Sequence, residues 1–164
     1  MKTLYLIRHA KSGWKDYALS DIDRPLNKRG KRDSPVMGKR LKAKQVLPDS
    51  IISSPAVRAF TTAKAISTEI GFDTEKIIVD KNLYECNSEG IIDVIKQTEI
   101  TVDSLFVFGH NPEFTHLADF FTNEKIPNIP TCGIFCINFE VFDWIEISPK
   151  NAEFVFFDFP KNDK

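Results

Sequence analysis

The sequence lacks long apolar runs and any cysteine pattern that would cross-link it. Only three of its 164 residues are cysteine, namely Cys86, Cys132 and Cys136. This odd count without a CxxC spacing predicts neither a disulfide framework nor a zinc site. No apolar stretch approaches the roughly 20 residues of a membrane span, and Arg8 and Lys11 interrupt the apolar N-terminus too early for a signal peptide. We therefore expect a cytoplasmic protein with reduced thiols and no membrane contact.

An excess of charge of either sign is also lacking. The 22 basic and 23 acidic residues leave a formal net charge of −1, which argues against a nucleic-acid partner. Residues 28–44 are a local exception, since they hold eight lysines and arginines. The simplest interpretation is the solvated face of a helix, and the alternative is a surface for an acidic protein partner. The length predicts a single domain over residues 1–164, which we expect to be a monomer.

Short apolar runs alternate with helical patterns along the chain. This order, β-α-β-α-β-α-β-α-β-β, predicts a three-layer α/β/α sandwich with a mostly parallel central sheet. The last two strands are expected to be antiparallel and to close the sheet. The predicted strands cover residues 3–10, 49–53, 77–79, 104–109 and a pair within 133–159, and the predicted helices cover 27–45, 55–70, 88–98 and 111–121.

Local signals refine these helices. Asn27 is a suitable cap for the first helix, and Pro35 predicts either a kink or a restart capped by Ser34. Ser54 and Pro55 are typical of the cap and the first turn of the second helix. The polar stretch before the first helix, residues 11–26, is expected to be a loop.

Two predicted strands are each followed by a histidine: one strand ends in arginine and the other in glycine. Arg8 and His9 follow the first strand, His110 follows the fourth, and Arg58 lies in the first turn of the second helix. Because ligands of open α/β sheets bind beyond the carboxyl ends of the strands, we expect these four side chains to converge. Two guanidinium groups and two imidazoles suit a tetrahedral dianion. Their charge should also lower the pKa of a nearby imidazole and keep it neutral and nucleophilic.

A neutral imidazole can accept a phosphoryl group and pass it to water. The motifs of other phosphate chemistries are missing: there is no P-loop, no GxGxxG, no HExxH and no Cys-x5-Arg. Asp21 and Asp23 do not follow an apolar strand, as an aspartyl-phosphate nucleophile would. His116 stands alone on a predicted helix and is interpreted as a packed or surface residue. The histidine route remains, and we expect no metal and no cofactor.

The sequence resembles the histidine phosphatase superfamily, which has the phosphoglycerate-mutase-like fold. Four motifs in the same order carry this resemblance across nearly the whole chain. Alanine after Arg8-His9 and two further motifs are similar to the small bacterial phosphohistidine phosphatase branch. The four motifs are Leu6-Ile-Arg-His-Ala10, Ser53-Ser-Pro55 with Arg58 and Thr61-Thr-Ala63, Leu83-Tyr-Glu85 and Gly109-His-Asn-Pro112. The two further branch motifs are Asp23-Arg-Pro-Leu26 with Arg29-Gly30 and, again, Gly109-His-Asn-Pro112.

The resemblance implies a role for each matching position. It makes one histidine the nucleophile that becomes phosphorylated, and it supplies a phosphate pocket, a candidate proton donor and three substrate contacts. The implied residues are His9 as nucleophile, Arg8, Arg58 and His110 as catalytic phosphate pocket, Glu85 as candidate proton donor, and Asn111 (through its backbone N–H), Lys11 and Ser12 as substrate contacts.

We therefore predict a metal-independent phosphatase that acts through a phosphohistidine intermediate. Its expected substrate is phosphohistidine on a protein, as in bacterial signal transduction, and the alternative is a small phosphate ester. A mutase is disfavoured because the chain has little room for substrate-covering segments, which also predicts an open crevice. A non-catalytic phosphate-binding module is disfavoured because binding needs no nucleophile.

Overall fold

The computed structural model describes residues 1–14 and 18–162. Within these residues the chain forms six strands and four α-helices, with several short 3-10 turns between them. The strands are β1 (Lys2–Arg8), β2 (Ser50–Ser53), β3 (Ile78–Val79), β4 (Ser104–Gly109), β5 (Ile134–Phe139) and β6 (Ala152–Asp158). The helices are α1 (Lys28–Ala43), α2 (Val57–Ile70), α3 (Ser88–Lys96) and α4 (Glu113–Thr122).

All six strands belong to one sheet with the order β3-β2-β4-β1-β5-β6. The four strands from β3 to β1 run parallel, and β5 and β6 add antiparallel strands at the β1 edge. This arrangement confirms the mostly parallel sheet and the antiparallel pair at its end. The parallel strands carry their carboxyl ends to one edge of the sheet, where ligands of such folds bind.

Each face of the sheet is covered by a pair of helices. Successive side chains of a strand point to opposite faces, and β1 follows this rule. Leu4 and Leu6 lie in one core cluster with residues of α3 and α4, whereas Tyr5 and Ile7 lie in the other with residues of α1 and α2. Both clusters consist largely of fully buried aliphatic and phenylalanine side chains. The three-layer prediction is therefore confirmed.

Helix α1 runs through its proline without a break. Asn27 caps it as predicted, since its side chain accepts a hydrogen bond from Gly30 N–H at 2.9 Å. The predicted restart at Ser34 is wrong, because its buried hydroxyl instead donates to the Gly30 carbonyl at 2.7 Å inside the helix. Pro35 occupies an interior position, where its ring removes one helical N–H donor.

Helix α2 begins two residues later than expected. Its first residue is Val57, and Ala56 is the cap residue. Ser54 and Pro55 therefore precede the helix, and the prediction that they form its cap and first turn is wrong. The physical reason is that the Ser54 side chain is fully buried and has a tertiary partner, described below.

The loop before α1 is anchored at both of its ends. Asn27 N–H donates to the Lys11 carbonyl at 3.0 Å, and Ser12 pairs with Leu26 in an isolated antiparallel bridge. A Cβ atom at Gly30 would lie 2.2 Å from the Lys11 carbonyl oxygen, so only glycine permits this approach of helix and loop. The predicted loop over 11–26 agrees with the described part, and residues 15–17 lie outside it. Among the described residues, none of the helices is long and apolar enough to cross a membrane.

Candidate active site

Strand register brings three functional side chains to one edge of the sheet. Arg8 pairs with Gly109 at the ends of β1 and β4, so His9 and His110 leave the sheet side by side. Their ring centroids are 5.2 Å apart. Ser53 pairs with Phe108, which sets Ser54 at the same level. The convergence predicted from the strand ends is thus present in the structure.

Gly109 allows the fourth strand to end in this position. A Cβ atom there would lie 2.7 Å from the ring of Phe114, which is fully buried in α4. Any larger residue would displace this buried ring. The glycine before His110 therefore lets Phe114 pack against the end of β4.

His9 is held on its backbone and on its ring. Its N–H donates to the Gly109 carbonyl at 3.0 Å, and its carbonyl accepts from Cys132 N–H at 3.0 Å. Its ring Nδ1 lies 2.7 Å from the Ala10 carbonyl oxygen. Because a carbonyl oxygen only accepts hydrogen bonds, the neutral ring must carry its proton on Nδ1. The lone pair is then on Nε2.

Burial keeps the His9 ring uncharged. Desolvation is the main reason that its pKa falls to about 3, and electrostatic repulsion from His110, Arg58 and Arg8 lowers it further. The hydrogen bond to Ala10 acts in the opposite direction. The sequence prediction named the arginines as the cause, whereas the structure gives burial the larger part. A neutral Nε2 at pH 7 is a competent nucleophile.

His110 is oriented by a buried serine. Its Nε2 lies 2.8 Å from Ser54 Oγ, and the same oxygen accepts the N–H of Ala56 at 3.2 Å. In the tautomer that carries its proton on Nδ1, a neutral His110 accepts the Ser54 hydroxyl hydrogen at Nε2. Burial, followed by the charge of Arg58, lowers the pKa of His110 to about 4. Ser54 was missed as a site residue because its local sequence is typical of a helix cap.

Each of the two arginines is held by hydrogen bonds from its terminal nitrogens and has an Nε without a partner. Arg8 Nη1 donates to the Ile129 carbonyl at 2.8 Å. Arg58 donates from Nη1 to the Asp21 carbonyl at 2.7 Å and from Nη2 to the Asp21 carboxylate at 3.1 Å. Within the described structure, the buried Nε groups of both arginines have no partner, and neither does Nδ1 of His110. Unpaired buried polar nitrogens are costly, so three of them on residues that line one cavity indicate an anion site.

Asp21 is the second site residue that sequence reasoning missed. Besides Arg58, it accepts the Tyr84 hydroxyl at 2.7 Å and Arg24 Nε at 3.0 Å. The Tyr84 hydrogen bond is the largest cause that lowers the pKa of Asp21 to about 2, and Arg58 and Arg24 add to it. Tyr84 also places its ring edge-on to His110, with centroids 5.7 Å apart. The sequence signal that could have identified Asp21 is Arg24, three residues further along the chain, since carboxylates pair with cations at this spacing.

These residues line a cavity of about 570 Å³, called the catalytic cavity below. The rim carries an exposed tryptophan, Trp14, whose ring lies 3.5 Å below the guanidinium carbon of Arg24. All eight residues predicted for the site line it: Arg8, His9, Lys11, Ser12, Arg58, Glu85, His110 and Asn111.

The accessory residues differ in how firmly they are held. The Asn111 side chain donates to Asn128 at 2.7 Å and to the Ile129 carbonyl at 3.0 Å, so it fixes the segment that also receives Arg8. Glu85 is exposed and has a left-handed backbone with φ of 51°. His116 is exposed on α4 and is not part of the catalytic cavity. In the described ranges, no three His, Cys, Asp or Glu side chains form a group that could hold a metal ion.

Comparison with known families identifies the fold that carries this site. The sequence model of the histidine phosphatase superfamily (branch 1) matches residues 4–101. The chain belongs to this superfamily. The match covers β1 from Leu4 onward, Arg58 and Glu85, and it ends before His110. Family and fold together support phosphatase activity.

Individual relatives match a larger share of the chain than the family model does. The uncharacterized protein MT1313 of Mycobacterium tuberculosis is 30% identical over 165 residues, which cover 94% of this chain and 100% of that protein. The uncharacterized chloroplastic protein At3g52155 of Arabidopsis thaliana is 29% identical over 140 residues, or 80% of this chain, which spans 64% of that protein.

Two solved structures share the fold over nearly their full length. SixA of Agrobacterium tumefaciens has 25% identity and a TM-score of 0.82, with 97% of this chain and 98% of that chain covered. The protein histidine phosphatase SixA complexed with tungstate has 21% identity and a TM-score of 0.81, with 98% of each chain covered. This likeness confirms the small bacterial branch that the motifs indicate.

Proposed function

We propose that this protein removes phosphate from phosphohistidine on a protein, through a phosphorylated His9. The observation that carries the proposal is the set of three buried nitrogen atoms without a partner, Arg8 Nε, Arg58 Nε and His110 Nδ1. The first two are N–H donors, and the third is one in the tautomer that accepts from Ser54. They belong to residues that line one cavity together with His9. A phosphoryl group offers three oxygens that can accept one hydrogen bond from each of these donors. The tungstate held by the related SixA is likewise a tetrahedral oxyanion.

In the first step the Nε2 lone pair of His9 attacks phosphorus. The new N–P bond forms as the P–N bond to the substrate imidazole breaks, and that imidazole, protonated on its other nitrogen, leaves neutral. Because the charge of the transferring group is spread over its oxygens, fixed donors supply most of the stabilisation. The bond from His9 Nδ1 to the Ala10 carbonyl at 2.7 Å stabilises the cationic ring that forms.

In the second step water attacks phosphorus and the P–Nε2 bond breaks. The electron pair returns to His9, a proton of the water goes to a phosphate oxygen or to solvent, and inorganic phosphate is released. The same three donors serve this step, since the phosphoryl oxygens remain between them. His9 is then ready for another turnover.

The shape of the cavity supports a substrate carried by a protein. Its lining shares Tyr84, Glu85 and Cys86 with an adjoining groove of about 520 Å³. An open site with few contacts beyond the phosphate discriminates weakly among small metabolites, but it admits a side chain that protrudes from a folded protein. A small phosphate ester is the second candidate, and the position of Glu85 on the cavity wall favours it, because an alkoxide leaving group needs a proton.

The proposal is tested by trapping the intermediate. A phosphohistidine peptide labelled with ³²P should transfer acid-labile, base-stable label to the wild-type protein, and the variant His9→Ala should take up none and lose nearly all turnover. A chelator should leave the rate unchanged. Label on another residue, or turnover by His9→Ala above about a tenth of wild type, would show that the nucleophile is elsewhere. Binding of phosphate without turnover would favour the non-catalytic module.

A further inference from the structure

One face of α1 carries a row of positive charge, interrupted at Pro35. At about 100° per residue, five basic residues of this helix fall within a stripe about 100° wide. All five are exposed. They are Lys28, Lys31, Arg32, Lys39 and Lys42, and we call them the basic stripe.

The basic stripe is not neutralised by the parts of the chain that the structure describes. Asp33 is the one carboxylate there within ion-pair distance of the stripe, at 3.4 Å from Arg32 Nε. Asp33 is itself buried and shared with Arg29. No other acidic residue belongs to α1. Since the whole chain has a net charge of −1, this surface is a local imbalance of charge.

The stripe begins beside the catalytic cavity. Lys28 and Lys31 line a small cavity of about 230 Å³ together with Arg24, and Arg24 also lines the catalytic cavity. The first turn of α1 is tied to the cavity loop by the hydrogen bond from Asn27 to Lys11 at 3.0 Å. From Lys28 to Lys42 the helix rises about 21 Å. A partner seated on the stripe would therefore reach the mouth of the catalytic cavity.

We infer that the basic stripe docks an acidic surface on the phosphorylated protein. The inference rests on the proposed function, because a protein-borne phosphoryl group must approach together with the surface around it. Complementary charge accelerates such encounters by about 10- to 1000-fold at low salt and fixes their orientation. A protein partner is favoured over a polyanion because the stripe is one helix wide and leads to a cavity with one cluster of unpartnered nitrogens, on Arg8, Arg58 and His110.

Three synthetic helical peptides test this inference. Each carries one chemically phosphorylated histidine, followed by about twenty residues with an acidic, a neutral or a basic face. We expect kcat/KM for the acidic peptide to exceed that for the basic peptide at least tenfold in 20 mM salt. The difference should shrink in 0.5 M salt, because exposed charges are then screened. Equal rates on all three peptides would overturn the inference.

Charge reversal on the protein provides the matched control. Lys39→Glu with Lys42→Glu should abolish the preference for the acidic peptide and raise kcat/KM for the basic one. Lys76→Glu with Lys150→Glu changes the net charge equally at exposed positions outside α1 and should keep the preference. Both double variants should hydrolyse an aryl phosphate at the wild-type rate. A control variant that lost the preference equally would mean that net charge, not the stripe, is responsible.

Failure of docking and failure of the proposed function are distinguishable. Docking is measured separately, as the binding affinity of the same three peptides without phosphate. If the acidic peptide binds in preference but no phosphohistidine is hydrolysed, the docking surface stands and the proposed substrate is wrong. Vesicles with 30% phosphatidylserine and a 30-base-pair DNA duplex complete the comparison. Tighter binding of either one than of the acidic peptide would overturn a protein partner.

Discussion

Asp21 and Arg58 are joined by two contacts at the wall of the catalytic cavity. Arg58 Nη1 donates to the Asp21 carbonyl at 2.7 Å, and Nη2 donates to its carboxylate at 3.1 Å. Two of the five N–H donors of Arg58 are therefore engaged, and its Nε is among the three that remain for the phosphoryl group. Asp21 thus acts as a positioning residue: it holds the guanidinium in the orientation that the proposed mechanism requires.

The variant Asp21→Asn should lose this alignment while keeping the size of the side chain. An amide cannot accept from Arg58, Tyr84 and Arg24 as a carboxylate does, and small displacements of a binding group cost up to about 100-fold in rate. We expect kcat to fall about 10- to 100-fold, with partial recovery in Asp21→Glu. Asp23→Asn, in the same turn, is the matched control and should behave as wild type. An Asp21→Asn variant with unchanged kcat would show that Arg58 needs no such support.

Arg58→Lys should be nearly as damaging as Arg58→Ala. An ammonium group cannot hold Asp21 and a phosphate oxygen with the geometry of a guanidinium fork, and loss of a donor to the transferring group costs on the order of 10²–10³ in kcat. Steady-state kinetics on an aryl phosphate measures the loss. Arg40→Lys, a partly buried arginine that binds backbone carbonyls at the chain end, controls for the chemical change. Wild-type activity in Arg58→Lys would contradict the placement of phosphate on Arg58.

Ser54→Ala tests the orientation of His110. Without the hydroxyl, Nε2 of His110 loses its partner at 2.8 Å, and its neutral ring is free to place the proton on either nitrogen. We expect kcat to fall at least tenfold, and ¹⁵N spectra should change from a ring protonated on Nδ1 to a mixture of tautomers. Ser67→Ala, which removes another fully buried hydroxyl, on α2, should change neither. A Ser54→Ala variant that keeps the Nδ1-protonated ring would exclude this role.

The core of the site was predictable from sequence because it depends on local pattern. Apolar runs end at Arg8 and Gly109, and parallel strands point their carboxyl ends to one edge of the sheet, so the residues that follow these runs were expected to meet there. Asp21 and Ser54 escaped prediction because their partners are distant in the chain. Asp21 lies 37 residues from Arg58, and Ser54 lies 56 residues from His110. From its local sequence, Asp21 was assigned to a loop and Ser54 to a helix cap. In the structure each of them instead binds a distant residue of the site.

The stability of the protein should fall as the pH drops below about 6.5. In the folded state the pKa of His9 is about 3 and that of His110 about 4, whereas an unfolded histidine titrates near 6.5. Between those values the unfolded chain binds more protons, so acid favours unfolding. Urea unfolding at pH 7.5, 6.5 and 5.5 should show this decline, and it should be weaker in the double variant His9→Asn with His110→Asn. Parallel curves for both proteins would rule out these two rings as its source.

Glu85 separates the two candidate substrates. Its exposed side chain lines the catalytic cavity, and proton donation to an alkoxide leaving group is worth roughly 10²–10⁴-fold in rate. A phosphorylated imidazole departs neutral once its ring is protonated, so it needs no such donor. We therefore expect Glu85→Gln to reduce kcat on alkyl phosphate esters at least tenfold more than on phosphohistidine, whereas Glu89→Gln, an exposed control on α3, reduces neither. Equal losses on both substrates would exclude proton donation and leave Glu85 a structural role.

The wild-type protein also separates the two candidate substrates, because an open cavity should hydrolyse small esters with KM near or above the millimolar range. Micromolar KM and sharp selectivity for one small ester would make that ester the substrate.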